Sequence, residues 1–309
     1  MAQAVVYRST GSWYIVKDTA GKLWNARMKG VFKIEGITST NPIAVGDIVD
    51  FETENEAESG ATITKIHDRK NYINRQSPRV KYQHHIVAAN VDQSIMVATI
   101  TEPRTSQGFI DRFLVACEMF HVPAIIIFNK HDVYRRKELG QLEKLKTMYE
   151  KVGYTVLSIS IKENTGMEEV TTILQNKISL VSGHSGVGKS SFINKIIEGK
   201  NIRTMQLSGW SGKGQHTTTF AEMHDLPFGG AVIDTPGMKE FGIVDIEKAE
   251  LSGYFPEMKK RLNDCQFNNC LHLNEPECAI KKAAVNGEIH EDRYVSYCSI
   301  LESIGEVGY

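Results

Sequence analysis

The chain has 309 residues, of which 41% are hydrophobic and 24% charged, and its formal net charge is −1 at pH 7. This length suits two or three domains, and the composition is that of a globular protein with a sizeable core. A net charge near zero gives no global electrostatic reason to bind nucleic acid, so any such binding must depend on a local basic surface. The N-terminus lacks a secretion-signal pattern, and no run of about 18 apolar residues predicts a membrane-spanning helix. We therefore expect a cytoplasmic protein with no membrane partner.

The N-terminal segment, residues 1–70, is expected to form a small all-β barrel. Short runs rich in Val, Ile, Tyr, Trp and Thr alternate there with Gly and Asn, which is the spacing of strands and turns in such a barrel. The polar, acidic segment from Thr53 to Gly60 is typical of a hairpin loop. Residues 71–92 have few periodic apolar positions and several basic ones, and we interpret them as a linker.

From about residue 93 the pattern changes to apolar strands that alternate with amphipathic helices. Strands are predicted at 94–100, 123–128, 155–160, 177–183, 219–226 and 229–237. Helices are predicted at 109–120, 135–152, 167–175 and 190–198. This alternation predicts an α/β domain over 93–244, with a mainly parallel sheet covered on both faces. Residues 245–309 are expected to form a mainly helical C-terminal domain.

A phosphate-binding loop is predicted between an apolar strand and an amphipathic helix, where G-H-S-G-V-G-K-S matches the pattern G-x-x-x-x-G-K-[ST]. The glycines let successive backbone N–H groups point at phosphate oxygens, and the start of the helix adds its positive dipole end. Lys189 would place a cation on the β- and γ-phosphates, and Ser190 would offer a hydroxyl to Mg²⁺. The predicted nucleotide contacts here are Gly183, His184, Ser185, Gly186, Val187, Gly188, Lys189, Ser190 and Ser191.

A magnesium and γ-phosphate element is predicted at the D-T-P-G run that starts with Asp234. This carboxylate follows an apolar strand and can hold Mg²⁺ through water, while the N–H of Gly237 can reach a γ-phosphate. The Gly-rich stretch before it predicts a loop whose threonine closes over the magnesium ion. We assign this role to Thr218, although Thr217 and Thr219 are equally suited and a solvated linker is the alternative.

A guanine-reading motif, N-K-x-D, follows the strand P-A-I-I-I-F. Asp132 would accept hydrogen bonds from both N1–H and N2–H₂ of guanine, a pair that adenine cannot supply, which argues against an ATPase. The S-I-K run further on resembles the S-A-K element that supports the base, with isoleucine in place of alanine. The predicted base contacts are Asn129, Lys130, His131, Asp132, Ser160 and Lys162.

The base motif precedes the phosphate-binding loop, whereas in ordinary GTPases the base-reading motifs come last. Circular permutation is physically allowed when the chain termini of a domain lie close together. Many GTPases also place a water-orienting glutamine where this chain has Met238, which cannot do this. Besides Lys189, we name His216 as the candidate catalytic residue. The alternatives are that His216 is an exposed loop histidine and that a partner supplies the function.

A metal site is predicted near the C-terminus, where the spacing is C-x₄-C-x-H-x₅-C. Three thiolates and one imidazole make a complete tetrahedral set for one structural Zn²⁺. A disulfide, or reduced thiols without metal, are the alternatives that we retain. The four predicted ligands are Cys265, Cys270, His272 and Cys278.

The motifs NKHD, GHSGVGKSS, GQHTTT and DTPGM, together with the cysteine–histidine set, resemble those of the ribosome-small-subunit-dependent GTPase family, RsgA. The resemblance covers essentially the whole chain and implies an N-terminal OB-fold barrel, a circularly permuted GTPase domain and a C-terminal zinc domain. It implies a late-stage assembly factor of the small (30S) ribosomal subunit, whose slow hydrolysis of GTP to GDP the subunit stimulates.

The resemblance also implies that the barrel of a monomer contacts 16S rRNA. OB folds bind nucleic acid with a basic groove and stacking aromatic rings. The candidates are Arg8, Trp13, Tyr14, Lys22, Trp24, Arg27 and Lys29. The alternative is that Trp13 and Tyr14 are partly core, and we expect about half of the set to lie there. A second hypothesis is a nucleotide-gated RNA-binding switch in which hydrolysis is incidental.

Overall fold

A computed structural model describes residues 2–28, 42–55, 59–76, 84–197, 221–235 and 246–304. The strands are β1 Ala2–Ser9, β2 Tyr14–Asp18, β3 Leu23–Met28, β4 Ile48–Asn55, β5 Gly60–Ile66, β6 Tyr72–Gln76, β7 His84–Ala89, β8 Gln93–Ala98, β9 Ala124–Phe128, β10 Thr155–Ser158, β11 Ile178–Ser182, β12 Glu222–Asp225 and β13 Ala231–Asp234. The α-helices are α1 Gln107–Met119, α2 Arg136–Val152, α3 Met167–Leu174, α4 Lys189–Ile196, α5 Pro256–Lys259, α6 Ala279–Val285 and α7 Glu291–Ser303. Short 3-10 segments lie at His131–Val133, Leu251–Tyr254 and Leu262–Asp264.

The five N-terminal strands form a closed barrel, as the sequence predicts. They pair in the order β1-β2-β3-β5-β4, and β4 also pairs with β1, which closes the sheet on itself. Val6, Val16, Phe51 and Ile63 point inward and are fully or almost fully buried. The inward positions alternate with outward ones along each strand, as the pleat requires.

The expected linker at 71–92 contains a β-hairpin instead, because β6 and β7 pair as a two-stranded antiparallel sheet. Ile73 and Ala88 are buried in an apolar cluster that also includes Val45 of the barrel segment and Leu180 of β11. The hairpin therefore fills the junction between the barrel and the α/β domain. The apolar run that forms β7 is short, and such runs are ambiguous in sequence.

The α/β domain has the mainly parallel sheet that was predicted, with strand order β10-β9-β8-β11-β13-β12 and only the β12–β13 pairing antiparallel among these strands. Successive residues of β8 point to opposite faces, so Met96 packs in a cluster with α1 and α2, while Ile95 packs in a cluster with α3 and α4. Both faces are thus covered by helices. Ser106 caps α1, since its hydroxyl accepts a hydrogen bond from the Phe109 N–H at 3.2 Å.

The C-terminal region packs on α1 of the α/β domain. Val115 of α1 lies in the same apolar cluster as Phe255, Tyr297 and Ile300. Arg293 of α7 is fully buried in this interface. Among the described residues, no helix has the length and apolar character needed to cross a membrane.

Candidate functional site

The predicted nucleotide-binding residues lie at one edge of the sheet. Strands β9, β8, β11 and β13 are neighbours and parallel, so their carboxyl ends meet at this edge. Asn129 follows β9, Gly183 follows β11, and Asp234 ends β13. Ligands of open α/β sheets bind at this kind of edge. The fold therefore brings together motifs that are far apart in the sequence.

The phosphate-binding loop connects β11 to α4 through glycines in conformations that other residues rarely adopt. The φ angles of Gly186 and Gly188 are +88° and +96°. A Cβ atom on Gly188 would lie 2.4 Å from the side-chain nitrogen of Asn129, so a side chain does not fit there. The helix α4 begins at Lys189, and its first turn points its free N–H groups into the loop.

The predicted catalytic lysine and magnesium carboxylate are in direct contact. The Lys189 ammonium donates hydrogen bonds to the Asp234 carboxylate and to the carbonyl oxygen of Thr235. Lys189 is 9% exposed and Asp234 is 2% exposed, so this ion pair is shielded from water. The Thr235 hydroxyl donates to the carbonyl of Val181 at 3.1 Å and fixes the end of β13 beside the loop. The predicted phosphate-binding cation and the predicted metal-binding carboxylate thus lie in contact with each other.

The base motif is tied to the phosphate-binding loop by Asn129. Its side-chain amide donates to the carbonyl of Val187 at 2.9 Å, and its side-chain oxygen accepts from the Ile161 N–H at 3.4 Å. The Tyr134 hydroxyl donates to the Asn129 carbonyl and accepts from the Ile100 N–H at 2.9 Å. Burial raises the pKa of Tyr134 to about 12, so it stays a neutral donor. No local sequence pattern predicts this role of Tyr134.

The structure also brings Asp132 and Ser160 together. The Ser160 hydroxyl donates to the Asp132 carboxylate at 2.7 Å and accepts from the Glu163 N–H at 3.1 Å. This contact holds the carboxylate in a fixed orientation at the edge of the site. Lys130 has a φ of +67° and its ammonium donates to the carbonyl of Glu102. The other two predicted base residues, His131 and Lys162, are exposed.

Residues 99–106, which connect β8 to α1, line the site and were not predicted to do so. The Thr105 hydroxyl lies 2.8 Å from Nε2 of His184 in the phosphate-binding loop. The ring of Phe109 packs edge-on against the same histidine, with centroids 5.6 Å apart. Pro103 lies against Gly186, since a Cβ atom on that glycine would be 3.1 Å from its Cδ. The sequence does contain one signal for this role, a polar, proline-containing loop directly after a strand, because binding residues often lie on such loops.

Several predicted residues lie outside the part of the chain that the structure describes. They are the candidate catalytic His216, the threonines Thr217, Thr218 and Thr219, then Gly237 and Met238, and Lys29 of the barrel. Their assignments stay predictions.

The four predicted metal ligands converge in the C-terminal region. The Cys265 and Cys278 sulfurs are 4.0 Å apart, and Nδ1 of His272 lies 3.6 Å and 3.3 Å from them. With Cys270 included, the four donor atoms all lie within 4.8 Å of one another. The metal–sulfur bonds of a tetrahedral zinc site, about 2.3 Å long, imply sulfur–sulfur separations of roughly 3.8 Å. The cluster therefore has the donor set and the size to hold a metal ion.

The electrostatics of this cluster also suit a metal ion. Burial lowers the pKa of His272, which keeps the imidazole neutral and able to act as a ligand. Burial raises the pKa of the Cys270 thiol to about 12, so a bound metal ion must displace its proton. The Glu275 carboxylate accepts from the Leu271 N–H at 2.7 Å and from the Leu273 N–H at 2.9 Å, which orders the turn that carries His272. The sequence pattern does not predict this role of Glu275.

The aromatic candidates on the barrel divide into two groups. Tyr14 and Trp24 are only 2% and 6% exposed and belong to the core, so they do not offer a free face for stacking. Trp13 is 48% exposed, and the Arg27 guanidinium lies 4.0 Å from the centroid of its indole ring. Arg8 lines a cavity of about 430 Å³ together with Trp13 and four other residues. The exposed aromatic and basic surface is thus centred on Trp13.

The fold and site define the class of the protein as a circularly permuted P-loop GTPase. A family model described as RsgA GTPase matches residues 66–244, and one described as RsgA N-terminal domain matches residues 3–61. The chain therefore belongs to the RsgA GTPase family.

The chain is similar to curated relatives over almost all of its length. It is 50% identical over 303 residues to the small ribosomal subunit biogenesis GTPase RsgA of Flavobacterium psychrophilum, covering 98% of this chain and 93% of the relative. It is 45% identical over 307 residues to the protein of that name from Bacteroides fragilis, covering 99% of this chain and 98% of that one.

Two solved structures have the same architecture. The crystal structure of YjeQ from Thermotoga maritima has a TM-score of 0.79 and 34% identity, with 99% of each chain covered. The structure of YloQ, a circularly permuted GTPase, has a TM-score of 0.75 and 28% identity, with 100% of this chain and 97% of that one covered. These matches confirm the permuted fold that the motif order predicts.

Proposed function

We propose that this chain hydrolyses GTP to GDP and phosphate as a late-stage assembly factor of the small (30S) ribosomal subunit. The observation that carries the proposal is the meeting of the base motif, the phosphate-binding loop and Asp234 at one sheet edge, in a chain that also has a barrel and a metal cluster. The relatives that span nearly the whole chain bear the name small ribosomal subunit biogenesis GTPase.

Guanine is read by the N-K-x-D motif in this proposal. The Asp132 carboxylate, oriented by the Ser160 hydroxyl at 2.7 Å, accepts from N1–H and N2–H₂ of the base. Asn129 ties the base motif to the loop through Val187, and this contact sets the distance between the base-reading and phosphate-binding groups. Lys130 packs along the base, while Lys162 supports it from the exposed side.

The phosphates are held by the backbone N–H groups from Gly183 to Ser191 and by the Lys189 ammonium. The buried carboxylate of Asp234 contacts Lys189, the residue before Ser190 at the start of α4, and it suits a hard cation with oxygen ligands. We assign Ser190, Thr218 and Asp234 to Mg²⁺, which when bound neutralises charge on the β- and γ-phosphates. Gly237 donates its N–H to the γ-phosphate.

The attacking water is positioned either by His216 or by a group of the ribosomal subunit. Met238 stands where many GTPases have a glutamine, and its thioether cannot orient water. Slow hydrolysis by the chain alone, with stimulation by the subunit, follows if the partner completes this part of the site.

The cysteine–histidine cluster holds one structural Zn²⁺ in this proposal. The donor set of three sulfurs and one imidazole leaves no open coordination position, which is the pattern of structural rather than catalytic zinc. We assign the domains as a barrel at 1–70, a connecting segment at 71–92, the GTPase domain at 93–244 and a zinc domain at 245–309.

The barrel contacts 16S rRNA of the subunit through the surface around Trp13. The exposed indole offers a face on which a base can stack, and Arg8, Lys22 and Arg27 supply positive charge. We propose that the protein works in the cytoplasm as a monomer, with GTP, GDP and the small subunit as its partners.

Co-sedimentation with purified ribosomal subunits tests the assembly part of the proposal. With a non-hydrolysable GTP analogue bound, the chain is expected to pellet with small subunits and to remain in the supernatant with large ones. Equal binding to both subunits, or to neither, would contradict the proposal.

Met238 favours a second candidate function, a nucleotide-gated RNA-binding switch in which hydrolysis is incidental. This alternative predicts a strong difference in subunit affinity between the GDP and GTP-analogue states, but no acceleration of hydrolysis by the subunit. Equal affinities in the two states would exclude it.

A further inference from the structure

The barrel is joined to the GTPase sheet by a strand that pairs in register with the magnesium element. Arg8 of β1 is paired with Glu222 of β12, and Glu222 is paired in turn with Asp234 of β13. Neighbouring strands lie about 4.8 Å apart, so roughly 10 Å separates the Arg8 backbone from that of Asp234. A displacement of β1 would therefore be transmitted to Asp234, the predicted magnesium ligand, through the one intervening strand, β12.

A polar clamp holds the barrel on β12. One carboxylate oxygen of Asp225 accepts from the Tyr7 hydroxyl at 2.6 Å, and the other accepts from the Lys17 ammonium at 2.6 Å. The same ammonium lies 5.2 Å from the centroid of the Tyr7 ring. Two barrel strands, β1 and β2, therefore converge on one side chain of the GTPase sheet. The Asp225 side chain is 54% exposed, which places the clamp at the surface, where its hydrogen bonds can open without disrupting the core.

The residue at the barrel end of this connection also faces a surface cavity. Arg8 lines the cavity of about 430 Å³ that includes Trp13 and Asn25. Its Nε atom is buried, and within the described part of the chain it has no hydrogen-bond partner. A half-buried guanidinium group that lines a cavity beside an exposed indole has the chemistry to bind an RNA phosphate while the adjacent base stacks.

We propose that an RNA phosphate bound at Arg8 is coupled to the magnesium carboxylate Asp234 through the paired strands β1, β12 and β13, with the Asp225 clamp keeping the barrel engaged. This inference rests on the proposed function. It adds a physical connection between the RNA-binding surface of the barrel and the nucleotide-binding site. Coupling between two binding sites is reciprocal. If bound RNA changes the affinity of the protein for a nucleotide, that nucleotide must change the affinity for RNA by the same factor.

The test compares the affinity of the full-length, zinc-loaded protein for purified small subunits in the GDP and GTP-analogue states. The clamp variant is Tyr7→Phe with Lys17→Met, which removes the Tyr7 and Lys17 donors to Asp225 and leaves the nucleotide site and the Arg8 cavity in place. Lys65→Met, at an exposed barrel lysine, is the charge-matched control. The quantity of interest is the ratio of the two affinities.

We expect this ratio to fall at least threefold in the clamp variant and to stay at the wild-type value in the control. Hydrolysis in the absence of subunits is expected to stay within twofold of wild type for both. Trp13→Ala is expected to weaken binding in both nucleotide states by the same factor and so to leave the ratio unchanged.

A clamp variant that folds and keeps the wild-type ratio would overturn the inference. If that double variant fails to fold, Asp225→Asn supplies the same test, since it weakens both contacts with an isosteric side chain. Wild-type protein that binds small subunits equally in both states also overturns the inference, while the proposed function stands. Wild-type protein that binds no small subunits instead refutes the proposed function.

Discussion

Substitution of Arg293 should destabilise the protein more than any other single change at the interface between the C-terminal region and α1. Arg293 is fully buried, and its Nη1 donates to the Asp111 carboxylate at 2.5 Å. Its Nε and Nη2 donate to the two carboxylate oxygens of Glu257 at 2.7 Å and 3.2 Å. Tyr149 completes the network, since its hydroxyl donates to the same oxygen of Asp111 at 2.9 Å.

Arg293→Met keeps much of the side-chain volume but leaves one fully buried and one largely buried carboxylate without their cation. Loss of one partner of a buried ion pair typically costs about 3–5 kcal/mol, and we expect a loss of that size in the free energy of unfolding. Arg293→Lys keeps the charge and loses the paired contacts with Glu257, so its cost should be smaller.

Urea denaturation followed by far-UV circular dichroism and by zinc release measures this effect. Tryptophan fluorescence does not suit the assay, because the three tryptophans lie at positions 13, 24 and 210, far in sequence from the C-terminal region. Arg112→Ala is the matched control, since the hydrogen bond that this arginine makes within the described residues is the one to the Ser303 hydroxyl at 3.0 Å, and its loss should cost less than about 1 kcal/mol. A loss below about 1 kcal/mol in the free energy of unfolding of Arg293→Met would refute the reasoning. It would mean that the buried carboxylates of Asp111 and Glu257 are stable without a positive partner.

Three further predictions concern the nucleotide and metal sites. Asp132→Asn should reduce the preference for GTP over ATP at least tenfold in competition binding, because the amide offers only one acceptor oxygen to guanine; an unchanged preference would refute the role of Asp132. Cys270→Ser should lower the zinc content from one ion per chain to less than half and lower the urea midpoint of the C-terminal region, and full zinc retention would count against a four-ligand site. His216→Ala should slow subunit-stimulated hydrolysis at least tenfold with nucleotide affinity unchanged, whereas an unaltered rate would assign water positioning to the partner.

The regular elements of the α/β domain were predictable because their local signals are strong. Runs such as that of β9 are continuously apolar and short, as expected for buried parallel strands. The motifs follow these strands directly, so the parallel arrangement that the sequence predicts also predicts their convergence. The convergence of the cysteine–histidine cluster was equally predictable, since four donor residues within a short stretch can meet without knowledge of the rest of the fold.

Contacts between distant segments were not predictable from a single sequence. Nothing local to Tyr134 shows that its hydroxyl supports Asn129 and Ile100, and nothing near Thr105 shows that it reaches His184. Such contacts depend on the three-dimensional path of loops whose conformation the residue pattern does not encode.

The barrel aromatics illustrate a signal that was present but not used. Tyr14 lies two residues before the buried Val16 on β2, and Trp24 lies two residues before the buried Ala26 on β3, so each pair shares a face. This period of two assigns both rings to the inner face of the barrel. Trp13 falls on the other side of the pattern and is exposed.

The most direct test of the central claim is the rate of phosphate release from GTP as purified small subunits are titrated into the zinc-loaded protein. We expect a slow rate for the chain alone, a rise of at least tenfold that saturates near one small subunit per chain, and no rise with large subunits. A rate that does not change with small subunits, for protein that binds GTP and hydrolyses it slowly, would contradict the claim that this GTPase acts on the small subunit.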